Sequence, residues 1–158
     1  MSQHVALRAV EPDEYAAWEQ ADRARYIDDM VTNGGLSLDD ATAKAERDWA
    51  MLLPHGVATA GHSLYFITDA ASGASIGRLW LGERPPALFV YALWLDEAVR
   101  GRGLGRQAMR LVEQEARRRG LARIELNVFA ANERARRLYR ALGYGEVAVS
   151  MSKPVTAD

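Results

Sequence analysis

The chain has no cysteine, which removes disulfide bonds, thiolate metal sites and a cysteine nucleophile together. Histidine is scarce: only His4, His55 and His62 occur, and none is spaced from another like a metal pair on a helix or turn. Surface or loop histidines and no metal are the expectation. Lysine stands only at Lys44 and Lys153, neither beside a GxxxxGK[ST] loop, so a Walker phosphate site is ruled out. No stretch reaches the roughly 18 to 20 uncharged apolar residues of a spanning helix, and the opening MSQHVALRAVEPDEY lacks both a basic start and an apolar signal core. A soluble, cytoplasmic protein with no membrane partner is expected.

What is present is a chain of 158 residues, 49% of them apolar, with room for one compact domain over residues 1–158 and hardly a second. Its net charge of −1 hides an asymmetry. From Met1 to His62 there are eleven acids against five bases, whereas from Arg100 to Arg140 there are four acids against twelve arginines. A basic face can mean nucleic acid, but VFAANERARRLYRALGY carries no RNA or DNA motif and the arginines surround glycines. A small phosphorylated ligand fits better, and no nucleic-acid partner is expected.

Strand and helix patterns alternate along the chain. HVALRAV reads as a first strand, PDEYAAWEQADRARYIDDMV as a helix stopped by Asn33, Gly34 and Gly35, and LSLDDATAKAERDWAMLLP as a second helix capped by Ser37 or Asp39. SLYFITD, ASIGRLWLG and ALFVYALWL then form an antiparallel meander through AASG and ERPP. A helix from Leu104 to about Arg119, a strand RIELNVF, a helix from about Asn132 to Leu142 ended by Gly143, and a short strand around VAVSM complete the pattern.

Between ALFVYALWL and the third helix lies VRGRGLGRQAM. A strand running into a glycine-rich turn and then a helix leaves backbone amides with no intrahelical acceptor, and the helix dipole adds about half a positive charge at the same place. Such amides bind oxyanions. Gly101, Gly103 and Gly105 remove the side chains that would keep a pyrophosphate away, while Arg100, Arg102 and Arg106 supply charge-assisted contacts. The duller alternative is a glycine-rich turn with solvated arginines. A dinucleotide fingerprint does not fit, because the spacing is GxGxG rather than GxGxxG and follows the fourth strand rather than the first.

The pattern RxxGxG, read as Arg100, Gly103 and Gly105 between strand and helix, is followed some thirty residues on by NVFAANERARRLYRALGY. In these segments the sequence resembles the GNAT superfamily of acyl-CoA-dependent N-acetyltransferases, closely from Ala87 to Tyr144 and in kind only before that. The resemblance implies an α/β (α+β) single-domain fold, with a mixed sheet of about six to seven strands, about four flanking helices and a V-shaped splay between strands four and five. Residues 1–62 would supply the first strand and two helices that form a lid over the acceptor, and residues 87–144 the acetyl-CoA-binding core.

The implied cofactor is acetyl-CoA, as co-substrate. Its pyrophosphate would sit on the loop Arg100, Gly101, Arg102, Gly103, Leu104, Gly105 and Arg106, and its pantetheine arm would pair with Leu93 and Leu95 and meet Asn132 and Ala135. A β-bulge is expected near Ala92 and Leu93, with unpaired amides for the acetyl carbonyl. Tyr139 shares a helix face with Ala135, Leu138 and Leu142, which suits a core tyrosine. The resemblance makes it instead the donor of a proton to the departing thiolate. Asn132 is the helix N-cap on residue chemistry alone.

Many members of the superfamily place a glutamate on the fourth strand as base, where this chain has Tyr91. Glu83 and Glu125 are either substitutes acting through water or simply surface or salt-bridged acids. Asp28, Asp29, Asp39 and Asp40 are expected near the slot mouth, either to attract a cationic amine or simply as solvated helix ends. The implied reaction is acetyl transfer to a primary amine of a small molecule or peptide by direct attack in a ternary complex. A non-catalytic acyl-CoA-binding regulatory domain is the alternative, and the sequence does not separate monomer from homodimer.

Overall fold

Two short connections and two long ones set the sheet. The computed structural model describes residues 3–157. Its strands are β1 (Val5–Ala9), β2 (His62–Asp69), β3 (Ser75–Arg84), β4 (Ala87–Leu95) and β5 (Arg123–Leu126). Its helices are α1 (Tyr15–Thr32), α2 (Leu38–Leu52), α3 (Leu104–Arg118) and α4 (Glu133–Ala141). The sheet order is β1-β2-β3-β4-β5. Asp69 closes the β2–β3 turn by accepting from the Ala71 and Ser72 amides at 3.0 and 2.8 Å, and Pro85–Pro86 closes the β3–β4 turn. Tight turns force antiparallel neighbours, whereas α3 separates β4 from β5 and lets that pair run parallel.

The sheet thus has five strands where six to seven were expected. VAVSM forms no strand: residues 145–157 have no regular structure, and Val147 and Val149 are 81% and 73% exposed. Alternation alone does not make a strand when no neighbouring edge is met. RIELNVF pairs only as far as Leu126 for the same reason. Of the two candidate caps of α2, Ser37 is the one used, its Oγ accepting from the Asp40 amide at 3.1 Å.

Each face of the sheet is covered by its own helices. Leu79, Leu81, Leu88 and Val90 pack against Leu104, Ala108, Met109 and Val112 of α3, with Tyr139 and Leu142 of α4 at the margin. On the opposite face Trp80 and Ala92 pack with Trp18 of α1 and Trp49 of α2. Trp49 and Trp80 meet edge to face at 5.2 Å, an arrangement that suits the ring quadrupoles. No helix among the described residues is long and apolar enough to cross a membrane.

A bulge in β4 decides which side chains reach which layer. Trp80 pairs with Ala92 but Leu81 pairs with Val90, so Tyr91 is the extra residue. A bulge was expected near Ala92 and Leu93, and the extra residue is the one just before them. Because the bulge shifts the alternation, Leu88 and Val90 before it and Leu93 and Leu95 after it all join the α3 layer. Tyr91 and Ala92 are left on the tryptophan side.

Candidate functional site

The site is built where β4 loses its neighbour. The parallel pairing of β4 with β5 runs from Ala87–Arg123 to Val90–Leu126 and stops there, one residue before the bulge. From Tyr91 to Leu95, β4 continues against β3 alone, so alternate backbone groups on its other edge have no strand partner. That edge is one wall of a gap opening toward α3.

The glycine loop closes the end of the gap. Glu97–Val99 form a single 3-10 turn, Arg100 is extended, and Gly101 and Gly103 take left-handed φ values of 78° and 76° that a side chain would strain. Gly103 is the N-cap of α3, so no side chain caps the helix. The first helical bond is from the Gln107 amide to the Gly103 carbonyl at 3.2 Å, which leaves the amides of Leu104, Gly105 and Arg106 ahead of it. Nothing lies within 4 Å of where a Cβ on Gly101 or Gly103 would be. Uncapped amides and open space are what a diphosphate requires.

The third glycine serves packing. A Cβ on Gly105 would lie 3.2 Å from Leu138 Cδ2 of α4 and 3.7 Å from Leu95 Cδ1 of β4. Its absence brings the start of α3, the end of β4 and the middle of α4 to one point. Leu104 is in the core at 2% exposure, and the side chains of Leu93 and Leu95 pack into the α3 layer, so only their backbone faces the gap.

The arginines take different roles from one another. Arg100 Nε donates to the Leu95 carbonyl at 2.8 Å, and its guanidinium lies 5.4 Å from the Trp94 ring centre. It ties the loop to β4 instead of reaching into the open space. Arg102 donates to the Ala98 carbonyl at 3.2 Å, and Arg106 is exposed on the first turn of α3. Farther along, Arg117, Arg118, Arg119, Arg123, Arg136 and Arg140 form ion pairs with glutamates, so much of the cationic half is neutralised internally.

Tyr139 enters the site from α4. Asn132 starts that helix by accepting from the Ala135 amide at 3.2 Å, which occupies both groups with capping. The Tyr139 ring packs at 5.6 Å from that of Tyr144, and no group among the described residues hydrogen-bonds its hydroxyl. Burial pushes this phenol up to about 12; the nearby Arg25 guanidinium opposes the rise, and Asp29 adds to it. The hydroxyl therefore keeps its proton through the neutral and mildly alkaline range.

A charged cluster missed by sequence reading supports the same region from α1. Asp22 is fully buried and accepts from Arg25 at 2.9 Å and from Arg78 of β3 at 3.5 Å. Arg78 also lies 4.5 Å over the Trp94 ring, so Trp94 has Arg78 and Arg100 against it. Two signals pointed there: Asp22 and Arg25 stand one helical turn apart, and Arg78 interrupts the apolar run ASIGRLWLG. Their meeting depends on α1 crossing β3.

The other acids divide. Asp29 accepts from Asn33 Nδ2 at 2.8 Å and is close enough to bear on Tyr139, whereas Asp39 and Asp40 lie in the first turn of α2 and Asp28 is exposed. Glu83 is ion-paired with Arg119 at 3.4 Å and Glu125 with Arg123 at 3.6 Å. Both pair in register with residues before the bulge, Leu88 and Phe89. Tyr91 stacks on Trp80 at 4.7 Å. Among the described residues no group of three or more His, Cys, Asp and Glu could hold a metal ion.

Residues 11–144 match the model of the acetyltransferase (GNAT) family. The chain is 30% identical to the uncharacterized N-acetyltransferase YdgE of Bacillus subtilis, over 93% of its own length and 96% of that protein's. It is 30% identical to YycN of the same organism, with 94% and 97% covered. The crystal structure of YycN superposes with a TM-score of 0.87, covering 97% of this chain and 99% of that one. The aminoglycoside N-acetyltransferase AAC(6')-Iy, solved in complex with CoA, shares the fold at a TM-score of 0.64 and 14% identity, covering 99% of this chain and 98% of that one.

Proposed function

Because the chain belongs to the acetyltransferase (GNAT) family and is an N-acetyltransferase, we propose that it moves the acetyl group of acetyl-CoA to a primary amine of a small molecule or peptide in the cytoplasm, by direct attack in a ternary complex. The observation that carries this reading is the convergence at Gly105. The uncapped start of α3, the end of β4 and α4, which carries Tyr139, meet there: a Cβ on Gly105 would lie 3.2 Å from Leu138 and 3.7 Å from Leu95.

Each part has a stated task. The amides of Leu104, Gly105 and Arg106, with the α3 dipole behind them, hold the diphosphate, and Arg106 adds charge from the first turn. Arg100 holds the loop in that shape through the Leu95 carbonyl, so the loop's ordering cost is met before the ligand arrives. The free edge of β4 from Tyr91 to Leu95 receives the pantetheine arm, and Asn132 and Ala135 at the start of α4 are its further contacts in this reading. Acetyl-CoA supplies an activated thioester. Backbone amides freed at the bulge would serve the carbonyl oxygen, and the protonated Tyr139 hydroxyl would donate to the departing sulfur.

No carboxylate stands on β4 to take the proton of the amine, since Tyr91 holds that place. An alkylamine with a pKa of about 10.4 is mostly protonated at neutral pH, so its free fraction, or a water leading to Glu125, sets the supply of nucleophile. Asp29 at the end of α1 favours approach of the cation.

The test is release of free thiol from acetyl-CoA in the presence of a panel of alkylamines, aminoglycosides and amino-terminal peptides. Acceptor-dependent release well above background hydrolysis is expected, rising with pH. Tight acetyl-CoA binding with no acceleration by any acceptor would instead establish the non-catalytic, acyl-CoA-binding reading.

A further inference from the structure

Helix α1 is fastened to both walls of the gap. Toward its middle, Asp22 accepts from Arg78 of β3 at 3.5 Å and the Ala21 carbonyl accepts from the same guanidinium at 3.4 Å, while Arg78 lies 4.5 Å over the ring of Trp94 on β4. Toward its end, Met30 packs with Phe129, which lies in the segment that continues β5 after its pairing with β4 has stopped. Asp22 and Met30 stand roughly 12 Å apart along the helix axis. The helix therefore crosses from the β4 wall to the β5 wall. Arg25 and Asp29, the charges on it that bear on Tyr139, lie in the crossing part.

Phe129 makes the second fastening tight. Its ring lies against Gly34, the residue after the C-cap of α1. A Cβ on Gly34 would be 2.8 Å from Cε1 and 2.9 Å from Cζ of that ring, and 2.7 Å from the Met30 carbonyl oxygen. Real side chains do not approach so closely, so ring and backbone meet only because position 34 has no side chain. The ring packs against a cluster of Met30, Ala41 and Ala45, each at most 1% exposed. The Phe129 carbonyl accepts from the Asn132 amide at 2.9 Å, where α4 begins, and α4 carries Tyr139. One residue thus joins the α1–α2 connection to the β5–α4 connection.

This junction limits what can enter. A polypeptide that presents a lysine continues on both sides of that residue and needs a groove open at both ends. Passage between the end of α1 and the β5 wall would supply one, and Phe129 on Gly34 shuts it. A free alkylamine needs only an end-on path for a stem one methylene wide.

We propose that Phe129 is a specificity-determining residue of the acetyl transfer put forward above, on which this inference rests: by closing the gap against Gly34 it bars amines carried on a polypeptide backbone and admits amines on a narrow, free stem. A peptide must lift the ring from its cluster, whereas a small amine binds with the contact intact, and that difference is the specificity.

n-Butylamine and a short, end-blocked peptide carrying one lysine test this, since they present the same amine on the same stem and differ only in the backbone. Thiol release at saturating acetyl-CoA gives kcat/KM for each. The parent should favour n-butylamine by about tenfold or more. Phe129→Leu keeps an apolar filling for the cluster but removes the ring atoms that meet Gly34. It should raise kcat/KM for the peptide by about tenfold, mostly through KM, with n-butylamine turnover and acetyl-CoA affinity by calorimetry held within about twofold. Phe129→Ala, checked for fold by circular dichroism, should move the ratio further in the same direction. A parent that uses the peptide as well as n-butylamine overturns the proposal. So does a ratio unchanged in both variants, or a gain for the peptide that n-butylamine matches. Release with no amine of any kind removes the acetyl-transfer reading itself, and this specificity with it.

Discussion

Replacing Tyr139 with phenylalanine separates proton donation from everything else the site does. The ring and its packing against Tyr144 remain, and the hydroxyl that is lost has no hydrogen-bond partner among the described residues, so stability should change by less than about 1 kcal/mol. The kinetic loss follows from the raised phenol. At about 12 it lies about 3.5 units above a typical thiol near 8.5, which makes complete transfer to the sulfur uphill by about 5 kcal/mol before the pair interacts. Its first contribution is therefore a hydrogen bond to developing negative charge, worth about 1.5 to 3 kcal/mol. That corresponds to a fall in kcat of about 10- to 150-fold, at the low end of the roughly 10²- to 10⁴-fold range for general acids. The assay is thiol release at saturating acetyl-CoA and acceptor, with acetyl-CoA affinity measured by calorimetry. The working form is the protonated phenol, and its activity is lost only as pH rises through the folded value near 12. The parent's rate should accordingly climb with free amine up to pH about 10 without a falling limb, and the variant should keep the same slope. An unchanged kcat, measured where chemistry limits the rate, would remove Tyr139 as donor. Loss of acetyl-CoA affinity would make its role structural.

Gly103→Glu should abolish acetyl-CoA binding in a folded protein, because it puts a carboxylate beside the uncapped amides and a side chain on a backbone at φ 76°; calorimetry showing parental affinity would place the cofactor elsewhere. Asp22→Ala should destabilise the fold by about 3 to 5 kcal/mol, since Arg25 and Arg78 are left partly buried without their carboxylate. Urea unfolding reads this as a lower midpoint at constant slope, and a loss under about 1 kcal/mol would show that the two arginines find other partners.

The sequence by itself determined the elements whose causes are local. Ser37 and Asn132 cap helices because their side chains reach amides three residues on, and AASG turns because Asp69 stands just before it. The uncapped helix start behind residues 100–103 was equally legible, since glycine spacing and a helix start need nothing from the rest of the chain. Where long-range pairing decides, local pattern was insufficient. The bulge was expected near Ala92 and Leu93, but that Tyr91 is its extra residue is set by the register with β3. VAVSM has the alternation of a strand, yet an alternation acquires a strand's hydrogen bonds only beside another edge. The direction of Arg100 toward the Leu95 carbonyl, the packing role of Gly105 and the trio of Asp22, Arg25 and Arg78 all join residues distant in sequence or fixed by how elements cross. So does the high pKa of Tyr139, which is a property of burial and not of the residues beside it. The chain's local chemistry thus wrote the glycine loop and its uncapped helix start, and the tertiary structure set the unpaired edge of β4, the partly buried phenol and the charges that surround it, because burial and register exist only once the layers have packed.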